Sequence, residues 1–276
     1  MTILRRLIYA LIPLLLYSSC YEDNIACLDP DATNYDILAD EACPDCCVFP
    51  TFSIDVDRFW GTDVFSTDSL YTDGGGNALR IVRFRVYLSE LELLAGDEVL
   101  PTPENFIEAG IINGADTTLT EINANVVLLQ TTGTGQSTVG RLRTGTAALT
   151  RVRGRVGPAE DFPAVYPPAA PGSSPLATQA GLLNFNDGRG YLTASVEYVL
   201  PDASPDTLRV DVRGTDFFNV DFPGPLAPLR GVDLTLEMAA DYERVFGNVD
   251  MSGDATQVGS DVFARLTEWL EVTGVR

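Results

Sequence analysis

From residue 51 onward, apolar and polar positions alternate in short runs separated by Gly, Pro, Asn and Asp. In FSIDVDRF, Ile54 and Val56 stand against Ser53, Asp55 and Asp57, and in LTRVRGRVG, Val152 and Val156 stand against Arg151, Arg153 and Arg155. TLRVDVRG sets Leu208, Val210 and Val212 against Arg209, Asp211 and Arg213, and VDLTLEM carries Asp233, Thr235 and Glu237 on its polar side. Period two marks half-buried strands. Strands with one apolar and one charged face bury the apolar one by packing antiparallel sheets face to face. The pattern therefore predicts an all-β, antiparallel β-sandwich over residues 51–276.

The stretch IVRFRVYLSELELL, residues 81–94, changes parity: Val82, Phe84, Val86 and Leu88 share one face, whereas Leu91 and Leu93 share the other. An inserted residue that turns all later side chains over is a β-bulge, expected here at Ser89 and Glu90. The alternative is a strand ending near Leu88 and a new one beginning. YTDGGGN reads as a turn, and Pro163 to Pro175 as a long surface loop. Near the C-terminus, Ser260 reads as the cap of a closing helix that carries Val262, Phe263, Leu266, Trp269 and Leu270 at helical spacing.

The first residues follow a different plan. Arg5 and Arg6 precede an apolar run from Leu7 to Leu16, then Ser18, Ser19 and Cys20. Charge, a short apolar core and small residues make an export signal, and the run is too short for a membrane span of about 20 apolar residues. The ending resembles a bacterial lipobox, which implies cleavage before Cys20, residues 1–19 as signal peptide and a membrane anchor through lipid on Cys20. An ordinary signal cut nearby is the alternative. The mature start, Cys20-Tyr21-Glu22-Asp23, resembles the acidic signal of Bacteroidetes-type outer-membrane lipoproteins, which implies a cell-envelope location, periplasmic or surface-exposed. The remaining cysteines, Cys27, Cys43, Cys46 and Cys47, form an even set in an exported chain, so two disulfides are expected. Adjacent Cys46 and Cys47 rarely bridge each other, which leaves Cys27 with one of them and Cys43 with the other. Residues 20–50 thus read as a stapled, Cys-rich tether that lifts the main domain off the membrane.

Composition narrows the function. The formal net charge of −21 argues against nucleic acid, which attracts basic patches. All 18 basic residues are arginine and there is no histidine, so histidine-dependent triads and histidine-ligated zinc or copper sites are excluded. No spacing singles out a carboxylate pair for glycoside hydrolysis, and the chain reads as non-enzymatic.

Four stretches in order resemble the MbnP-like family: Tyr87-Leu88-Ser89 in the early strand, VRGRVG from Val152 to Gly157, the Gly190-Tyr191 step, and LTLEMAADYERVF. Together they span about residues 52–272. The resemblance implies a copper-handling envelope protein, with a haem-containing partner that oxidises a tryptophan to a copper-binding kynurenine, or a transporter partner. Where the family has a tryptophan-rich turn, this chain reads Leu183, Asn184, Phe185, Asn186. The tryptophans present are Trp60 and Trp269; Trp269 reads as core. Candidate copper ligands are thus Trp60 and the thioethers of Met238 and Met251, soft donors that suit Cu(I), although packing explains the methionines as well.

Two loops have oxygen-ligand spacing for calcium. Asp250, Ser252 and Asp254 alternate, with Asp261 at the twelfth position but Ala255 at the sixth. Asp29, Asp31, Asn34 and Asp36 cluster in the tether. Asx turns and helix caps explain both sets without an ion. The arginine stripe 151/153/155, with Arg83 and Arg85 on a neighbouring strand, could hold an anionic glycan or a partner's carboxylates, or pair internally with Asp55, Asp57, Glu90 or Glu92. The second functional reading is therefore a surface interaction module without metal, binding a protein or glycan partner through loops such as Pro163 to Pro175.

Overall fold

The computed structural model describes residues 22–133, 135–160, 162–180 and 190–276. In chain order the strands are β1 (Ile25–Ala26), β2 (Glu41–Ala42), β3 (Thr51–Trp60), β4 (Asp63–Val64), β5 (Tyr71–Thr72) and β6 (Ala78–Ala95). Next come β7 (Glu98–Val99), β8 (Phe106–Asn113), β9 (Asp116–Asn123), β10 (Val126–Gln130), β11 (Gln136–Arg141) and β12 (Leu149–Val156). After them lie β13 (Ala194–Leu200), β14 (Ser204–Val212), β15 (Asp216–Leu226) and β16 (Leu234–Asp241), then helices α1 (Tyr242–Phe246) and α2 (Ala255–Arg265), and β17 (Leu270–Val275).

The strands form a β-sandwich. One sheet runs β14-β13-β6-β12-β15, with β5, β7 and β10 also paired to β6; the other runs β11-β3-β16-β17, with β4 on β3. All pairings within these two sheets are antiparallel except β3 with β16. The period-two residues meet between the sheets: Phe52, Ile54, Leu234 and Leu236 of one pack with Phe84, Val152, Val196 and Phe218 of the other in one continuous core. Each such side chain contributes roughly 1.5–3 kcal/mol on burial, which holds the layers together.

Strand β6 is the spine of the larger sheet. Its residues 80–86 pair with β13, 85–89 with β10 and 88–94 with β12. The parity change is a bulge inside one continuous strand: Arg153 lies opposite Glu92 and Arg155 opposite Ser89, so β6 holds an extra residue there. A second bulge, not expected from the sequence, lies where Glu197 faces Arg83 and Tyr198 faces Ile81. It turns Ile81 and Leu79 inward and leaves Val82 only half-buried. The middle of β6 is buried on both faces, because Tyr87 points away from the main core into a second cluster with Ala109, Val126, Phe162, Val165 and Leu176.

Several expectations are corrected or filled in. The segment from Pro163 to Pro175 lies at the surface, with Tyr166, Pro168 and residues 171–173 exposed, and its inner side is packed. It makes two 3-10 turns, Phe162–Ala164 and Pro167–Ala169, Tyr166 N–H donates to Gly110 O, and Val165 bridges Ile111. Its apolar residues cover Tyr87, which explains why so proline-rich a segment is ordered against β8. The C-terminal helix starts earlier than Ser260: Asp254 caps α2, accepting from Thr256 N–H and Gln257 N–H. It ends at Arg265, so Trp269 follows the helix and Leu270 opens an edge strand; β-branched Val272, Thr273 and Val275 favour that strand. Within residues 20–50, the stretch around Asp31 docks on the sandwich. Asp31 is buried and accepts from Arg143 and Arg230, and Arg143 also reaches Asp29. A carboxylate with two guanidinium partners on the sandwich fixes residues 29–31 against it.

Candidate functional site

The bulge at Ser89 and Glu90 lines a polar cleft on the outer face of the larger sheet. Glu90 has φ +51°, the positive-φ non-glycine residue of the described chain. Backbone of this kind costs on the order of 1–3 kcal/mol and persists only where its surroundings hold it. Here the clamp is Asn125, which is buried. Its carbonyl oxygen accepts from Glu90 N–H, its Oδ1 accepts from Leu91 N–H at 3.0 Å, and its Nδ2 donates to Leu91 O at 2.9 Å. One side chain thus satisfies the backbone groups that the bulge removes from the ladder.

Opposite the bulge stands Gly154. A Cβ there would lie 2.8 Å from Leu91 Cδ2 and from the Phe218 ring, so the glycine lets those core groups meet behind the cleft. On the outer face, β12 presents Arg151, Arg153 and Arg155 in register with Asp221, Asn219 and Phe217 of β15. The arginines pair internally: Arg151 Nε with Asp221, Arg153 Nε with Glu92 and Arg155 Nε with Glu90, each at 2.6 Å. Arg155 is nearly buried, donates to Thr215 Oγ1 at 3.3 Å, and lies over the Phe217 ring with Cζ 4.6 Å from its centroid. With Thr102, Asn123, Ala159 and Phe162, this sheet face lines a cleft of about 610 Å³. Small-ligand sites commonly occupy roughly 300–1,000 Å³.

Reading the sequence singled out the arginines, Glu90 and Glu92 but missed Phe217, Asn219 and Asn125. A signal was present for Phe217. In DFFNVDF, Phe218, Val220 and Phe222 alternate as core residues, which leaves Phe217 as an aromatic on the polar face, 56% exposed. Nothing local marks Asn125, because its partners are backbone groups of a distant strand.

The other candidates lie elsewhere. Cys20 falls outside the described residues, as do Leu183, Asn184, Phe185 and Asn186. Trp60 is half-buried at the end of β3 and stacks on Tyr71 at 4.2 Å between centroids. Met238 and Met251 are buried in the main core; Met251 N–H donates to Asp73, and its carbonyl accepts from Tyr198 Oη. Among the described residues no group of three or more His, Cys, Asp or Glu side chains is arranged to hold a metal.

The acids of the calcium-like loop are engaged by the chain itself. Asp250 accepts from Ser252 N–H, Ser252 Oγ and Asn77 Nδ2, while Asp254 caps α2. In the tether, Asp36 accepts from Leu38 N–H and Asn24, and Asn34 bonds Cys46 O and Val48 N–H. Cys27 is joined to Cys47, whereas Cys43 and Cys46 are free thiols, so one disulfide stands where two were expected. The 3-10 turn Pro44–Cys46 directs Cys46 Sγ to the carbonyl of Cys43 at 2.9 Å, a local bond in place of a cross-link.

No helix among the described residues is long and apolar enough to cross a membrane. No protein-family model matches the chain, and no curated protein matches it. Among solved structures the chain is similar to MbnP from Methylosinus trichosporium, with a TM-score of 0.45 and 18% identity over 74% of this chain and 81% of that one; no family membership or function follows from a likeness at that level.

Proposed function

We propose that this chain is a non-catalytic binding module of the cell envelope, tethered through lipid on Cys20, that takes a ligand in the cleft above β6, β12 and β15. The observation that carries the reading is the strained Glu90, held by Asn125 and Arg155 at a bulge that opens onto a walled, polar sheet face. Strain retained under so specific a clamp marks a positioned side chain. Both carboxylates of the cleft are occupied by guanidinium groups, an arrangement that suits orientation of a ligand better than proton transfer. The test is ligand-observed NMR with a mixed set of sugars, peptides, nucleotides and small organic acids. At least one class should bind the wild-type chain and be lost in Thr102→Trp, which fills the cleft from its wall. A set in which nothing binds, or in which every binder is retained by Thr102→Trp, overturns the reading.

Copper handling is the second reading, and one observation favours it: Cys43 and Cys46 are unbonded thiols on a single turn, soft donors suited to Cu(I). Titration of the reduced chain with Cu(I) against a competing chelator should show one tight equivalent, lost in Cys43→Ser/Cys46→Ser. Equal competition by the wild-type and double-variant chains removes this reading.

A further inference from the structure

We propose that the ligand of the cleft is a neutral oligosaccharide; this deepens the binding-module reading and rests on it.

Charge decides first. The lining includes two cations, Arg153 and Arg155, and two anions, Glu92 and Glu90, matched pairwise at 2.6 Å. No surplus charge remains on the floor to hold a charged ligand, and any ion that entered would compete with a formed pair while losing its own hydration. A chain of net charge −21 also repels polyanions at a distance.

Hydrogen-bonding capacity decides next. Arg153 spends Nε on Glu92, yet a guanidinium has five N–H donors and a carboxylate about four acceptor sites. Asn219, exposed and in register with Arg153, makes no side-chain hydrogen bond among the described residues and offers both a donor and an acceptor. Planar groups that carry donors and acceptors side by side match adjacent hydroxyls, each of which both donates and accepts. A sugar ring presents such hydroxyls along its edges and C–H groups on its faces.

The apolar requirement is met by Phe217. The residue is 56% exposed and lines the cleft, and the Arg155 guanidinium covers one face of its ring at 4.6 Å, so a ligand would take the other face. An exposed aromatic held in this way offers a flat apolar platform beside polar groups. An extended peptide finds no free ladder over the cleft floor, because β12 is hydrogen-bonded on both sides, to β6 and to β15; strand addition is open only along the outer edge of β15, beside the floor and not on it.

The test is calorimetric titration of the full chain with soluble neutral oligomers of glucose, mannose, galactose and xylose, beside oligogalacturonate and chitosan oligomers. At least one neutral series should bind saturably, with affinity reduced tenfold or more in Phe217→Ala and several-fold in Asn219→Ala. Phe217 is exposed, so its truncation leaves the core intact, and Thr102→Trp provides an independent variant that should block binding. Binding of the charged oligomers alone, or neutral binding that is unchanged in both Phe217→Ala and Thr102→Trp, overturns the proposal. A non-sugar that binds wild type and is lost in Thr102→Trp, with no neutral sugar doing so, overturns the sugar and leaves the binding-module reading standing. If no class of ligand enters the cleft, both fail together.

Discussion

The carboxylate of Glu90 accepts a 2.6 Å hydrogen bond from Nε of Arg155, although Glu90 is an extra residue in its strand and Arg155 pairs across to Ser89. The bulge shifts the register by one residue and aims the carboxylate at a guanidinium on the neighbouring strand. Arg155 in turn lies over Phe217, so one insertion in β6 reaches the third strand of the sheet face.

Backbone conformation at Glu90 can be separated from its charge. Glu90→Gly removes the penalty of positive φ but takes the 2.6 Å carboxylate from the nearly buried Arg155, so the two effects oppose and its stability should stay within about 2 kcal/mol of wild type. Glu90→Val loses the same pair and places a β-branched residue at φ +51°, and should be less stable by about 1–3 kcal/mol. Urea unfolding midpoints of the two variants check this. Equal stability would mean that φ at this position relaxes freely.

Asn125 is the stronger constraint. Asn125→Ala leaves both the N–H and the C=O of Leu91 buried without their side-chain partner, at about 1–3 kcal/mol for each group. A loss of about 2–5 kcal/mol is expected, with Asn125→Asp also destabilising because it turns the donor facing Leu91 O into an acceptor. Chemical denaturation measures the loss, and amide exchange at Leu91 should accelerate if the bulge opens.

Gly154 gives a prediction of the opposite kind, overpacking. Gly154→Ala sets a methyl group 2.8 Å from Leu91 and Phe218 and should cost about 1–3 kcal/mol. Gly172→Ala, where an added Cβ meets nothing within 4 Å, is the control and should be neutral or slightly stabilising. Thermal midpoints of the pair compare the two sites directly.

The sandwich was legible because its strands obey one rule. Ile54, Val152, Val210 and Leu236 each alternate with polar or charged neighbours, and each is in the core. The bulge at Glu90 was legible for the same reason: a parity change between Leu88 and Leu91 has few other causes. The bulge near Val82 was hidden, since Ile81 and Val82 are both apolar and either could face inward. The docked tether and the covering of Tyr87 by the 162–177 segment depend on pairings across long sequence separations, Asp31 with Arg230 and Tyr166 with Gly110, which no local pattern announces. The cleft was half-visible: its arginines form a stripe, and Glu90 and Glu92 stood among their expected partners, but Phe217 and Asn219 come from a strand far along the sequence and Asn125 from a distant loop.

Thiol chemistry tests the tether. In the denatured, unreduced chain, Cys43 and Cys46 should react with a thiol reagent, and Cys27 and Cys47 only after reduction. The Cys27–Cys47 link closes 20 residues of chain, which corresponds to about 3 kcal/mol in the loop-closure account. Cys27→Ala/Cys47→Ala should therefore release the tether and make residues 28–46 cleavable by protease while the sandwich core resists. Protection of all four thiols before reduction would show that the second cross-link forms as well.

The docking of the tether should depend on pH through Asp31. The hydrogen bond from Arg230 comes first, with the Arg230 charge and Arg143 adding to it, and together they outweigh the opposing effect of burial and hold the carboxyl below its usual range. A carboxyl whose pKa is lower in the folded state binds its proton more readily when unfolded. Its contribution is therefore complete above the unfolded value of about 3.9 and is lost as pH falls through the lower folded value. Wild type should keep the tether protected from protease at pH 5 to 7 and lose that protection progressively below pH 4. Asp31→Asn, which has no charge to titrate, should be more susceptible at neutral pH and show a flatter dependence in the acid range. Parallel acid profiles for the two chains would place the pH sensitivity in other carboxylates and leave Asp31 a packing residue only.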